Sequence, residues 1–366
     1  MTRSRWITLA AALALVSGCG SVTPTPSPSP STAAVLPTAV PTATPTEAPT
    51  PTPTPTALPG VAILDGSAVD PAVASRLPVA VMIDDNAVAR PQQYGFNAAS
   101  IVYQAPADGG EDRYMMVFQE ADAPRVEPIR SGRPYFVNWA SEYHAAFAHY
   151  GGDAKTLKFL PLINGNVLWN VDAILGSGSI FHRDSTHFAP HNAVGSTAKV
   201  RALAISRGAP ADMPAGLGLR LFAPDLPLDQ RPASGSITIP YNTGTTAYTY
   251  DQAANQYLRS VAGRPQLDAA DGIRVTARNV VVLWMALSID PESEPGYARP
   301  VLAQLGTGQA LVFRDGHVIK GTWRKATATD LTRFFDESGK EISLVPGRLF
   351  IQVVPNGTNV TYDAAS

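Results

Sequence analysis

Pro78-Val79-Ala80-Val81-Met82-Ile83-Asp84-Asp85 is the stretch from which the fold is read. A short unbroken apolar run, closed by two acids, predicts a buried strand. Ser100-Ile101-Val102-Tyr103-Gln104 and Tyr114-Met115-Met116-Val117-Phe118 read the same way. Pro134 then suits the first position of a helix. Phe136, Trp139, Ala140, Tyr143 and Phe147 recur at three- and four-residue steps, which predicts one apolar helix face ended by Gly151-Gly152. A second helix is expected from Gly195 or Ser196 to Ser206. Further on the pattern turns to strands. Ile237-Thr238-Ile239 and Thr246 to Tyr250 look like a pair, and Val280 to Leu287 is a long apolar strand. Two strands flank the hairpin signal Asp315-Gly316, and Leu349 to Val353 comes last. The expected fold class is α+β: a mixed α/β N-terminal domain plus a smaller antiparallel β-rich C-terminal domain.

The 366 residues carry 28 basic and 30 acidic side chains, a formal net charge of -2. Nucleic acid is not an expected partner, because phosphate neutralisation needs a basic stripe and none is visible. One cysteine excludes an intramolecular disulfide. Arg3 and Arg5 precede an apolar run, Ile7 to Val16, that is well short of the ~20 residues needed to span a bilayer. Val16-Ser17-Gly18-Cys19 follows and resembles the lipobox of bacterial lipoproteins, with Cys19 as the lipidated residue. Residues 1–18 are thus expected to be a lipoprotein signal peptide, and the expected contact with the membrane is the lipid anchor. Several acyl chains anchor stably where one does not. Residues 19–60 read as a disordered tether, dominated by Pro, Thr and Ser with too little apolar material to offset ordering entropy. In polyproline II form, at ~3.1 Å per residue, it would reach on the order of 120 Å. The body then divides into residues 61–207 and 236–366, with a Pro- and Gly-rich linker over 208–235.

Polar residues of interest gather in the N-terminal half. Arg125, Arg130 and Arg133 precede the helix at Pro134, whose free N–H groups and dipole favour an anion. Arg130, Ser131 and Arg133 are therefore candidate ligand-binding residues for a carboxylate or phosphate. The alternative is that these arginines pair with Asp122, Glu127 or Glu142 and fix a loop. Asp84, at a strand end, is a candidate base or ligand contact, and Asn86, Arg90 and Gln92 would extend the same surface. The alternative there is a turn capped by an Asp or Asn side chain. His149, before Tyr150-Gly151-Gly152, is either a ligand-facing donor or a satisfied core histidine at a helix C-terminus.

Other readings weaken. His182, His187 and His191 lie in a loop that gives them no common face, so no metal ligand set is assigned. Ser196-Thr197-Ala198-Lys199 has the S-x-x-K pattern but lacks the companions that penicillin-binding enzymes need, and Ser196 reads as a helix N-cap. A Cys/His nucleophile is excluded because Cys19 is consumed by lipidation. No cofactor is expected.

Several ordered motifs carry a resemblance. They are Val79 to Asp84, Ala89-Arg90-Pro91-Gln92, Gly109-Gly110 with Arg113, Pro128-Ile129-Arg130-Ser131 with Arg133-Pro134, and His149 with Gly151-Gly152. Phe181 with Arg183-Asp184, and Ala189-Pro190-His191-Asn192, continue them. In the second half come Leu311 to Gly316, Gly321-Thr322-Trp323, Phe335-Asp336 with Gly339 to Ile342, and Val353-Val354-Pro355. Together these resemble the YerB-like lipoprotein family over nearly all of residues 76–356. Asp85 stands where that family's pattern has Asn, and Asp108 where it has Glu. The resemblance implies a bacterial surface lipoprotein with two domains of unknown biochemical function. It draws Arg113, Arg183, His191 and Asn192 into the candidate ligand-binding set.

The expected function is a lipid-anchored, extracytoplasmic binding module on the bacterial cell membrane. It would recognise an anionic cell-wall component or an envelope protein partner. The alternative is a cell-wall hydrolase with Asp84 or Asp85 as the base, His149 or His191 as the proton shuttle, and Arg130 with Arg133 as the anion clamp.

Overall fold

In the computed structural model, residues 60–214, 217 and 220–365 are described. The lipidated Cys19, the signal peptide and nearly all of the tether fall outside the described residues. Along the first half come β1 (Val79–Asp85), β2 (Ile101–Pro106), β3 (Asp112–Phe118), α1 (Pro134–Ser141), β4 (Ala146–His149), α2 (Ala154–Ile163), β5 (Trp169–Asp172) and α3 (Thr197–Ser206). The second half supplies β6 (Ser236–Ile239), β7 (Thr246–Asp251), β8 (Gln256–Val261), β9 (Asn279–Met285), β10 (Gly306–Arg314), β11 (His317–Lys325), β12 (Arg333–Asp336), β13 (Leu349–Pro355) and β14 (Thr361–Asp363).

The two halves share one ten-stranded sheet, in the order β12-β11-β10-β9-β13-β2-β3-β1-β4-β5. The seam between them is the parallel pairing of β13 with β2, Leu349 opposite Ile101 through Gln352 opposite Gln104. The central strands are buried along their length, which explains their nearly continuous apolar runs. Their side chains alternate between two cores. Val79, Val81, Ile83, Val280 and Phe350 face one side, where α3 and the second sheet pack. Ala80, Met82, Tyr103, Val281 and Ile351 face the other, under α1 and α2. The second sheet is six-stranded, with β8, β7, β6 and β14 adjacent in that order. Expected strands 78–83, 100–104, 114–118 and 349–353 are all present, as are the pair 237–239 with 246–250 and the hairpin at Asp315-Gly316.

The first helix is shorter than its periodicity predicts. α1 ends at Ser141, and His144 takes a left-handed φ of 48° that turns the chain. Phe147 therefore lies on β4, which pairs parallel with β1, and not on the helix face. The same apolar residues satisfy a period of two: Ala146 and Ala148 enter one core, Ala145 and Phe147 the other. α2, which the sequence reading passed over, begins at Asp153, whose carboxylate accepts from Thr156 N at 2.6 Å. Ser196 does precede α3, but its side chain makes no capping bond.

The segment 208–235 is not a loose spacer where it is described. Arg220 is buried and donates to Tyr143 Oη at 3.0 Å. Phe222 bridges Leu344, and Asp212 bridges Arg76.

Gly321 on β11 shows how tight the sheet is. A Cβ there would lie 1.9 Å from the Phe335 carbonyl oxygen on β12. Gly321→Ala is expected to lower stability by about 2 kcal/mol, as overpacking against a fixed backbone does, read as a lower urea midpoint at unchanged m-value.

Candidate functional site

β1, β2 and β4 point the same way in the sheet, since β3 runs antiparallel to both β1 and β2 and β4 runs parallel to β1. Their C-terminal ends, with the start of β3, form a rim dense in charge. Register sets the pairs. Asp84 lies opposite Arg113, and Asp85 lies opposite Asp112. Like charges directly opposite one another repel, and the rim answers this with arginines and hydrogen bonds.

Asp84 is fully buried, and its Oδ2 accepts from His191 Nδ1. Arg130 Nε lies 3.0 Å from the same oxygen, and Arg130 Nη2 lies 3.9 Å from Glu111 Oε2. Asn86 Nδ2 donates to Glu111 Oε1 at 3.2 Å. The Asn86 side-chain Oδ1 accepts from Val88 N and Ala89 N at 3.0 and 2.9 Å, so it also caps the turn. Gln92 Nε2 donates to the His191 carbonyl at 2.5 Å, and Gln93 Nε2 to the Asp84 carbonyl at 2.7 Å. The structure thus gathers Asp84, Asn86, Gln92, Arg130 and His191 at one place.

Asp85 faces the neighbouring cluster. It takes Arg90 Nε at 2.9 Å and Gln104 Nε2 at 3.0 Å. Arg90 Nη2 also donates to the Thr243 carbonyl at 2.7 Å, and Thr243 N donates to Asp112 Oδ2 at 2.9 Å. Burial pushes the Asp112 carboxyl up to about 7 against the pull of the Thr243 hydrogen bonds, and the facing Asp85 adds to the rise.

The arginines do not converge on the start of α1. Arg133 is buried against Asp108, with Nε 2.8 Å from Oδ1, and lies 3.8 Å from Asp153. Arg125 bridges Glu127 and Asp184 and stacks over Tyr94 at 4.4 Å. Of the pairings expected for the loop-fixing alternative, only Arg125 with Glu127 forms. Asp122 instead serves Arg76 and Arg201, and Glu142 serves Lys325 and Arg220. Arg113 is wholly buried and donates to the Ser131 carbonyl at 3.1 Å. Burial first, then Arg133 and Arg130, lower its proton affinity. Ser131 itself is half-buried. Arg130 is the exception among the three loop arginines. It is ion-paired, but none of its guanidinium nitrogens makes a hydrogen bond within the limits of good geometry among the described residues.

His149 is a core residue at the end of β4 and not at a helix C-terminus. Its Nδ1 donates to Gly151 O at 2.7 Å, Nε2 meets Asn170 Oδ1 at 2.7 Å, and the ring stacks on Phe147. It has no exposed surface, which removes it as a ligand contact or proton shuttle. The three loop histidines separate. His182 is exposed, His187 Nδ1 donates to Glu127 Oε1 at 2.7 Å, and His191 reaches Asp84. His187 forms, with Glu127 and Asp184, a trio whose ligand atoms lie within 4.8 Å of one another. The Arg125 guanidinium already joins both of its carboxylates, and Thr186 and Arg125 hold the Asp184 carboxyl well below the usual range. Arg183 is exposed, stacks over Tyr150 at 4.5 Å and donates to Asn192 Oδ1 at 2.7 Å. Asn192 Nδ2 in turn ties down the carbonyls of Asp184 and His187.

Sequence reasoning missed Glu111, Asp112 and Asp153. The signal for the first two was their place just after the paired glycines at 109–110, at the start of a buried strand, where a turn delivers side chains to the sheet rim.

Residues 64–210 match the N-terminal domain of a family described as "Protein of unknown function (DUF3048)", and residues 237–351 match its C-terminal domain. The chain is 29% identical over 316 residues to "Putative lipoprotein YerB" of Bacillus subtilis (strain 168), covering 83% of this chain and 88% of that protein. The crystal structure of the YerB protein from Bacillus subtilis is similar with a TM-score of 0.72 at 26% identity, over 83% of this chain and 99% of that one. The resemblance carried by the motifs therefore extends through both halves. Among the described residues, no helix is long and apolar enough to cross a membrane.

Asp112 gives the rim a measurable signature. Its folded carboxyl titrates near 7 while an unfolded one titrates in the ordinary carboxylate range. Between those values the folded state binds the extra proton, so this group's contribution to stability falls as pH rises and levels off above about 7. Asp112→Asn is expected to remove that part of the slope, so thermal melts should show the variant gaining on the wild type between pH 5 and pH 8.

Proposed function

Because the chain belongs to the DUF3048 family and carries its N- and C-terminal domains in order, we propose that it is a lipid-anchored cell-envelope protein. Its rim at Asp84, Glu111, Arg130 and His191 binds an anionic cell-wall component. The anchor is Cys19, in keeping with the lipobox and with the name of the Bacillus subtilis relative. The tether holds the body away from the membrane, and the ligand is met outside the cytoplasm.

The observation that carries the binding reading is Arg130. Its side chain is 18% exposed, its Nε faces Asp84, and its Nη groups make no hydrogen bond among the described residues. A guanidinium so placed suits a ligand carboxylate in a fork geometry. Glu111 and Asn86 beside it suit the amide or hydroxyl groups that accompany carboxylates in cell-wall peptides and glycans. Arg133 and Arg125 support the rim and are not offered as clamps, because their guanidinium donors are already spent on hydrogen bonds to carboxylates.

The test is co-sedimentation of residues 57–366, which form one compact unit, with purified cell-wall sacculi across a salt series. Salt-sensitive binding is expected. Arg130→Gln should weaken it at least about tenfold, the scale of one lost charge-assisted hydrogen bond, in protein whose circular dichroism is unchanged. Binding by the variant equal to that of the wild type places the ligand elsewhere. Arg133→Ala is a poor choice for this test, since removing it strands Asp108 as an uncompensated buried charge.

A further inference from the structure

The rim holds more than recognition requires. Asp84 is a wholly buried carboxylate fixed at the end of a central strand, and its Oδ2 accepts a hydrogen bond from His191 Nδ1–H. In the neutral imidazole this leaves Nε2 as the basic nitrogen. Nε2 makes no hydrogen bond among the described residues, and the His191 side chain keeps 15% of its surface exposed. Gln92 fixes the His191 main chain, and Asn192 fixes the loop that precedes it. Arg130 brings its charge to the same carboxylate oxygen that orients the ring. Glu111, with a side chain 32% exposed, faces Arg130 from the other side and is held by Asn86. The other Asp84 oxygen, Oδ1, is buried and meets no donor among the described residues.

A ring turned by a buried carboxylate, with its second nitrogen open and a cation alongside, is the arrangement of a general base with an anion stabiliser. We propose that Asp84 and His191 form a proton-transfer dyad that hydrolyses an ester or amide carbonyl on the cell-wall ligand. This rests on the same rim being the ligand site. Water attacks the carbonyl carbon as His191 Nε2 removes its proton. The carbonyl oxygen becomes negative and is met by the Arg130 guanidinium. The tetrahedral species then breaks its carbon–oxygen or carbon–nitrogen bond, and the leaving alcohol or amine takes the proton back from Nε2. One water is consumed, a carboxylic acid and an alcohol or amine are produced, and the dyad ends as it began. Asp84 is a positioning residue: it holds the tautomer and the charge that the ring acquires. His191 is the catalytic residue.

The experiment incubates the full-length protein with purified sacculi over pH 5 to 9. Sedimentation, released acetate and newly formed free amino groups are measured together. Wild type is expected to bind and to release one of the two products. Acetate identifies an acyl substituent as the source, and new amino groups identify a peptide amide. His191→Asn should lower release, measured per amount of protein sedimented with the wall, at least about 100-fold, the ordinary scale of general-base catalysis. His191 is half-buried at the rim, so this variant is the one least expected to disturb the fold. Asp84→Asn should lower release as well, and it serves as a second reading where it folds. Binding by wild type without either product overturns the dyad and leaves the binding site standing. Release that survives His191→Asn also overturns it. Failure of wild type both to bind and to release removes the site reading as a whole.

Discussion

The parallel pairing of β13 with β2 is the contact on which the rest depends. It joins strands from opposite ends of the described chain and makes one sheet of two sequence halves. A slip of one residue would exchange the faces of β13, sending Phe350 and Ile351 into the wrong cores. The register is pinned by more than the ladder. Arg348, just ahead of β13, donates from Nε to Ala99 O at 3.0 Å and from Nη1 to Thr276 O at 2.9 Å. It thereby ties the approach to β2 to the strands before β9. Tyr241 Oη, in the turn between β6 and β7, lies within hydrogen-bond distance of the carbonyls of both Gln104 and Val353.

That closure also makes the rim. The C-terminal end of β1 and the start of β3 carry acids, and the loop holding Thr243 from the second half seals against them. Arg259 on β8 is wholly buried and reaches Gln104 Oε1 at 2.6 Å and Tyr114 Oη at 3.2 Å. Buried charges of this kind are costly unless paired and hydrogen-bonded. Most here are buried beside an opposite charge and read as cement. Arg133 with Asp108, and Lys325 with Glu142, belong to that class. Arg130, His191 and Glu111 differ, because each retains exposure and His191 and Arg130 retain unused hydrogen-bonding capacity. Exposure beside an open donor or acceptor separates a candidate site from its supports, since wholly buried Arg113 Nε and Gln352 also lack a hydrogen-bond partner among the described residues.

Much of this was legible from residue order. The run at 79–83 identified a central strand because its neighbours bury both faces, and such a strand needs no polar alternation. Asp84 stood out at a strand end with Asn86 beside it, Arg130 ahead of a helix start and His191 through the family resemblance, and they are the residues that meet. His149 stood out beside the glycine turn at 151–152 and is a satisfied core residue, since a histidine there looks alike in sequence whether its ring points in or out. The first helix was overextended because Phe136, Trp139, Tyr143 and Phe147 fit a helical period. Only the left-handed turn at His144 shows where that period stops.

By itself the sequence determined what local physics can determine. That includes the apolar strands, the starts of α1 and α3, the hairpin at Asp315-Gly316, and the compositional break between a Pro- and Thr-rich tether and a body able to bury a core. The tertiary structure decided everything that rests on distance along the chain. It merged the two halves into one sheet, sent Arg133 and Arg125 to carboxylates of their own, and brought His191 to Asp84 across 107 residues. The reason is that a strand's burial is written in its own side chains, whereas its partner is chosen by the register of the whole sheet. Which charged groups are then left with open valences follows only once every other pairing has been made.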